Sequence, residues 1–120
     1  MNFAFKELQV WHRAVHFADL LISMVDELDT GRKHFRLIEQ LESAVASVSQ
    51  NIAEGKGRHS KKEFVHFLYI ARGSVYETVT LLNIFAKRNW IDNHRLEELE
   101  KEAMEITNMI KGLINSIQRS

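Results

Sequence analysis

The stretch that decides the fold spans residues 60–88 and reads SKKEFVHFLYIARGSVYETVTLLNIFAKR. Apolar and small residues recur along it at alternating steps of three and four, namely Phe64, Phe67, Ala71, Ser74, Thr78, Leu81 and Phe85. This spacing places them on one stripe of an α-helix, as in knobs-into-holes packing. Ser60 and Glu63 form a capping box, in which the serine hydroxyl accepts from an orphan amide and the glutamate reaches back. The stretch therefore predicts one long amphipathic helix with a defined start.

Three further runs repeat this spacing, with breaks between them. They are Leu8, Trp11, Val15, Ala18, Ile22 and Val25; then Ile38, Leu41, Val45, Val48 and Ile52; then Leu96, Leu99, Ala103, Ile106, Ile110, Leu113 and Ile117. Gly31 suits a left-handed cap after the first run, and Asp92 suits an N-cap before the last. The predicted helices cover residues 6–29, 33–54, 61–88 and 92–118. Because the loops are short, neighbours must run antiparallel, which predicts a single all-α domain over 1–120, an up-down-up-down four-helix bundle.

Composition excludes several classes of protein. The 120 residues include no cysteine and no proline, so disulfides, zinc-thiolate sites and thiol catalysis are ruled out. The cysteine-free chain fits a reducing cytoplasm, and neither a secretory signal nor an apolar run of membrane-spanning length is visible. Sixteen basic residues balance sixteen acidic ones. A neutral total means that any binding of nucleic acid must depend on a local patch.

Two helices carry more apolar residues than one stripe requires. Helix 3 adds Leu68, Val75 and Leu82 beside its main stripe, and helix 1 adds Phe17 and Leu21. One interpretation is that helix 3 lies deepest in its own bundle. The other is that subunits of a homo-oligomer pack through helix 1 or helix 3, because wide apolar surfaces mark interfaces.

The chain shows no constellation that would support catalysis or metal binding. A di-iron bundle needs two Glu-x-x-His motifs, whereas only Glu63 and His66 match. His12 and His16 have a spacing that could clasp a metal ion, but no third ligand accompanies them. Neither a nucleophile elbow nor a phosphate-binding glycine loop is present. We therefore predict no metal, no cofactor and no enzymatic activity.

The charge map points to one end of the bundle. Between residues 54 and 72, five basic residues oppose Glu54 and Glu63, which leaves a net charge of +3; the five are Lys56, Arg58, Lys61, Lys62 and Arg72. These charges are either ordinary solvated loop residues or a phosphate-contacting surface at the start of a helix. Residues 92–105, with six acidic residues against two basic ones, carry −4.

A family resemblance spans nearly the whole chain. Its residues are Leu8-Gln9-Val10-Trp11, Gln40-Leu41, the block Asn51-Ile52-Ala53-Glu54-Gly55-Lys56-Gly57-Arg58, Ser60, Glu63-Phe64, Gly73-Ser74 and Glu77. They resemble the four-helix bundle proteins encoded in 23S rRNA intervening sequences. The resemblance implies a ring-like homopentamer, related to the accessory variability proteins of diversity-generating retroelements, which bind nucleic acid and a reverse transcriptase. Glu42 and Ser43 depart from the family's usual basic residues.

Several of the matching residues have structural explanations. Gly55 is expected to end helix 2, and Gly73 and Ser74 to let helices approach closely. Four polar residues are not demanded by the fold, namely Asn51, Glu54, Arg58 and Glu77; we expect a polar network between the 2–3 loop and helix 3, with Glu77 in an inter-subunit contact. The resulting hypothesis is a non-catalytic, pentameric adaptor that binds RNA or a reverse-transcriptase-like nucleoprotein through its basic end. The alternative is a purely protein-binding scaffold.

Overall fold

The computed structural model describes residues 2–120, so Met1 of the predicted domain lies outside the described residues. Four α-helices follow a short 3₁₀ turn, Ala4–Glu7, and they are α1 Gln9–Asp26, α2 Phe35–Lys56, α3 Lys61–Lys87 and α4 Asn93–Arg119. No strand occurs within residues 2–120. The predicted all-α four-helix fold is confirmed. The predicted first helix, 6–29, is too long at both ends, because the chain forms the 3₁₀ turn before α1 and leaves the helix at Asp26.

Neighbouring helices make contacts typical of antiparallel pairs. Helix α3 packs between α2 and α4, and α1 packs against both α2 and α4. At the start of α3, Lys61 Nζ donates to the carbonyl of Ser120 at 2.5 Å. Near the end of α3, Asn83 donates to Glu100, close to the start of α4, at 3.0 Å. These contacts fit the predicted up-down-up-down order. None of the four helices has the length and apolar character that crossing a bilayer demands.

The predicted core stripe of α1 is wrong in part: Leu8, Trp11, Ala18 and Val25 are half-buried against the core, but Val15 and Ile22 are not. Val15 and Ile22 are 40% and 42% exposed, whereas the neighbouring row, which includes Phe17 and Leu21, is fully buried. Both rows are apolar and both have helical spacing, so the period alone did not select between them. Which of the two rows is buried depends on the contacts of α1 with α2 and α4. The predicted stripes of α2, α3 and α4 supply most of the buried residues of those helices.

The second apolar row of α3 is core, not surplus. Leu68 and Leu82 are fully buried and Val75 nearly so, because α3 contacts helices on both sides. The interpretation that α3 lies deepest in its own bundle therefore accounts for this row. Large apolar side chains are exposed elsewhere, among them Tyr76 and Met104.

Two of the predicted helix starts are confirmed, and one predicted helix end is wrong. The Ser60 hydroxyl accepts from the amide of Glu63 at 3.1 Å, and the Asp92 carboxylate accepts from the amide of Arg95 at 2.7 Å. Each bond satisfies one of the amides left unpaired at a helix start. Gly31 does have a left-handed φ of +66°, but it lies in the α1–α2 loop and not at the end of α1.

An ion-pair cluster that the sequence did not indicate links α1 to α4. The Arg13 guanidinium donates to both carboxylate oxygens of Glu102, at 3.0 and 2.9 Å, and also to Glu105. The hydrogen bonds that Arg13 donates to these two carboxylates raise its pKa above the ordinary value. Glu102 and Glu105 lie 89 and 92 positions after Arg13 in the sequence, and only the fold brings the three residues together.

Candidate nucleic-acid interface

Gly55 was predicted to end α2, but it lies within the helix. The helix continues to Lys56, and Gly55 is buried against α3. A Cβ atom at this position would lie 2.7 Å from Cβ of Phe67 and 3.1 Å from a ring carbon of Phe64. The absence of a side chain therefore allows α2 and α3 to approach closely beside the basic loop. Gly73 does not have this role, because a Cβ there would meet nothing within 4 Å.

A half-buried polar cluster links the same pair of helices nearer their middle. Asn51 Nδ2 donates to the carbonyl and to the hydroxyl of Ser47, each at 2.8 Å. Ser74, from α3, donates its hydroxyl to the Ser47 oxygen at 2.9 Å. The expected network thus includes Asn51, but it runs through Ser47 and joins the two helices, not the loop. The sequence did not mark Ser47 as a member of this network, because a single serine within a helix has no distinctive pattern.

Arg58 and Lys56 are held against aromatic rings at the α2–α3 loop. Arg58 pairs with the Glu54 carboxylate at 2.5 Å, and its guanidinium lies 4.7 Å from the centroid of the Phe67 ring. Lys56 Nζ lies 5.8 Å from the centroid of Phe64. Stacking on a ring restrains a cation and covers its apolar stem. Glu54, one of the two carboxylates already subtracted in the predicted +3, is thus paired with Arg58, and the lysines supply the unpaired positive charge at this end.

Lys61 and Lys62 lie at the start of α3, beside the end of α4. Together with residues near Ser120 they line a hollow of about 310 Å³. This arrangement brings Arg119 to the same end of the bundle. The 3₁₀ turn packs against α2 and places Lys6 there as well, since its neighbour Phe5 lines a second hollow with Arg58. Lys6 and Arg119 were not in the predicted patch, although the up-down order alone places both chain termini at this end.

The structure does not bring Arg72 together with the other predicted basic residues. It lies 11 residues beyond Lys61 on α3, which is about 16 Å along the helix. Its guanidinium stacks near the rings of Tyr69 and Tyr76, in a groove between α3 and α4. Glu77 is exposed on α3. Its use in an inter-subunit contact stays a prediction.

The histidines singled out by their spacing have other neighbours. His12 Nε2 lies 2.7 Å from the carbonyl of Lys6 and ties α1 to the 3₁₀ turn. The His66 ring packs edge-on against Phe67, with centroids 5.8 Å apart. Within residues 2–120, no three histidine, aspartate or glutamate side chains are grouped as metal ligands would be.

Comparison with known proteins places this helical bundle in a family. The sequence profile described as 23S rRNA-intervening sequence protein matches residues 6–112. The chain belongs to this family. No curated protein matches it.

A solved structure supports the fold of this chain. It is the crystal structure of a protein of unknown function from the S23 ribosomal protein family of Bacteroides thetaiotaomicron. The two share 23% sequence identity with a TM-score of 0.81, over 88% of this chain and 95% of the other. Neither that description nor the family's names a catalytic activity.

Proposed function

We propose that this protein is a non-catalytic, cytoplasmic, homo-oligomeric adaptor that binds RNA through the basic end of its bundle. The observation that carries the proposal is the meeting of three chain segments at that end. Six basic residues face three acidic ones there, a net charge of +3: Lys6, Lys56, Arg58, Lys61, Lys62 and Arg119 against Glu7, Glu54 and Glu63. RNA phosphates are the natural partners of such a surface.

Two features support phosphate as the ligand. The α3 helix begins at this end, and the first amides of a helix favour anions. Lys56 and Arg58 are backed by Phe64 and Phe67, so their charged groups are already positioned and lose little freedom on binding.

A homopentamer, which the family resemblance implies, would strengthen this weak patch. One subunit with a charge of +3 binds RNA poorly, whereas several copies on one ring bind a single RNA together. Exposed Val15 and Ile22 on α1 offer apolar surface for subunit contacts. The family resemblance also implies a second kind of partner, a reverse-transcriptase-like nucleoprotein.

The test exchanges two lysines of the basic end for glutamate. We expect Lys56→Glu combined with Lys62→Glu to weaken binding of a short structured RNA and to flatten the dependence of log Kd on log salt, measured by fluorescence anisotropy. The matched control is Lys33→Glu with Lys87→Glu, which changes the net charge equally at the opposite end. Equal affinity and equal salt dependence in the two variants would refute the proposed surface.

A protein-binding scaffold is the second candidate. The exposed apolar side chains of α1 and of the α3–α4 side favour it, since such surfaces mark protein contacts. Light scattering with and without RNA separates the two functions. A mass of about five subunits that rises on adding RNA at low salt supports the RNA adaptor. A pentamer indifferent to RNA supports the scaffold. A monomer contradicts the pentamer that the resemblance implies and the use of the apolar surfaces for subunit contacts.

A further inference from the structure

The α3–α4 side of the bundle carries a groove that the proposed function does not use. Its volume is about 350 Å³, and its lining includes Tyr69, Arg72, Tyr76, Asn108, Lys111 and Asn115. It lies part-way along the bundle, away from the loop between α2 and α3. Two cations and two carboxamides thus line one depression, and no carboxylate belongs to its lining among the described residues.

The Arg72 guanidinium lies beside the rings of two tyrosines. Its guanidinium lies 4.9 Å from the Tyr69 ring centroid and 5.7 Å from that of Tyr76. The spacings of three and four residues place all three side chains on one side of α3. A stacked guanidinium keeps its in-plane N–H donors available, and these donors suit an oxyanion. Within residues 2–120 Arg72 and Lys111 form no ion pair, unlike Arg13 and Arg58.

The groove becomes apolar beyond Tyr76. A depression of about 530 Å³ adjoins it, lined mainly by Val75, Val79, Ala103 and Met104, with Tyr76 and Thr107 common to both parts. Thr80 and the Glu100 carboxylate, which accepts from Asn83, complete the lining. Tyr76 is 52% exposed and Met104 is 59% exposed. A ligand that fits both parts has an anionic group at one end and a flat apolar group a few ångströms away.

We infer that this groove binds a nucleotide unit of single-stranded RNA. A phosphate lies between Arg72 and Lys111, and its base packs on the exposed ring of Tyr76 toward Met104. Asn108 and Asn115 donate to the ribose or to the base edge. A duplex does not fit this description, because its bases are stacked on one another and their faces are covered. Aromatic rings beside cations are the usual means of holding unstacked bases.

The inference rests on the proposed RNA binding but concerns a different surface, so the two are tested separately. The probes are a uridine decamer and an abasic decamer of equal charge, with binding measured by fluorescence anisotropy. The wild type is expected to prefer the decamer that has bases. Tyr76→Leu should reduce this preference by roughly fivefold or more, since fivefold corresponds to the lower limit for stacking of one base on one aromatic ring. The affinity for the abasic strand should not change. Tyr76→Phe retains the ring and should retain the preference.

Charge variants supply a second measurement. Lys111→Ala should weaken binding of both decamers, whereas Lys101→Ala, on the same helix outside the groove, should not. The paired lysine exchanges at the basic end should weaken both decamers equally and leave the preference for bases intact.

Several outcomes would overturn the inference. An undiminished preference in Tyr76→Leu would do so while leaving the proposed function in place. A lower solution mass of Tyr76→Leu in light scattering would instead assign the groove to a subunit contact. An acidic peptide that binds in a Lys111-dependent way, when neither decamer does, would assign it to a protein partner. A wild type that binds no RNA would overturn both proposals.

Discussion

Helix α3 meets its two neighbours in different ways. Toward α2 the contact is tight because small residues lie in it: Gly55 packs against Phe67, and the hydroxyl of Ser74 donates to that of Ser47. Toward α4 the large side chains of Tyr76 and Met104 reach solvent and leave open grooves between the helices. Small residues allow backbones to approach until no space is left, whereas large exposed residues leave a surface that a partner can enter.

This difference separates residues that build the bundle from residues available for binding. Asn51, Gly55, Ser60 and Ser74 belong to the stretches that carry the family resemblance, and each has a structural task at the α2–α3 contact. Tyr76 has no comparable task, because about half of its side chain is exposed. The most recognisable part of the sequence therefore describes mainly the frame. Lys56 and Arg58 lie within that part, whereas the other candidate binding residues lie beside it.

The largest expected effect comes from adding one methyl group to the tight contact. Gly55→Ala should destabilise the protein by about 1–3 kcal/mol, because the new Cβ would lie 2.7 Å from that of Phe67 and the helices would have to separate. Gly73→Ala is the matched control on the open side of α3. Nothing lies within 4 Å of its Cβ, so higher helix propensity should stabilise the protein by about 0.5–1 kcal/mol.

Urea denaturation with a common m-value measures both glycine variants. The contrast between the two sides of α3 is contradicted if both alanine substitutions change the free energy of unfolding in the same direction. A neutral Gly55→Ala would mean that α2 and α3 have room to spare.

The helix starts give the next largest effect and sharpen the comparison. Ser60 begins α3 beside the tight contact, and Asp92 begins α4 beside the groove; each accepts one backbone amide. Ser60→Ala and Asp92→Ala should therefore cost similar amounts, about 1 kcal/mol each. Thermal melts of both variants check this. A much larger cost for Ser60→Ala would show that the difference between the two sides extends to the helix ends.

The sequence predicted the helices well because each of them repeats one local pattern. Period and capping residues are properties of neighbouring positions, so Ser60 and Asp92 were identified correctly. The buried row of α1 was not, because Val15 and Phe17 belong to two apolar rows of equal period. Which row is buried depends on where the partner helices lie, and a single helix does not contain that information.

The candidate sites follow the same rule. Lys56, Arg58, Lys61 and Lys62 are close in sequence, so their patch could be predicted. Arg72 was assigned to it only because it is near in sequence, and the rise of the helix carries it about 16 Å away. Lys111 lies 39 positions further on and joins Arg72 only when α4 packs against α3.

A smaller effect is expected from the polar bond inside the tight contact. Ser74→Ala removes the hydroxyl that donates to Ser47 at 2.9 Å, while Asn51 still donates to the same oxygen. Because no buried polar atom is left without a partner, the cost should be at the lower part of the usual range, about 0.5–1 kcal/mol. Thr80→Ala is the control, since its hydroxyl bonds only within the exposed side of α3. Equal costs in urea melts would mean that the serine bond does not stabilise the contact.

The smallest effect on stability should come from the residues that are most exposed in the groove. Tyr76→Leu and Met104→Gln remove little buried surface, so each should change the free energy of unfolding by less than about 0.5 kcal/mol. Val75→Ala, one residue away but buried, should cost about 1.5 kcal/mol or more, because two methyl groups leave the core. Urea melts at two protein concentrations measure all three variants. A large, concentration-dependent loss in Tyr76→Leu would mean that a second subunit covers the groove. A small loss at both concentrations would mean that the fold does not require this tyrosine, which leaves it available for a ligand.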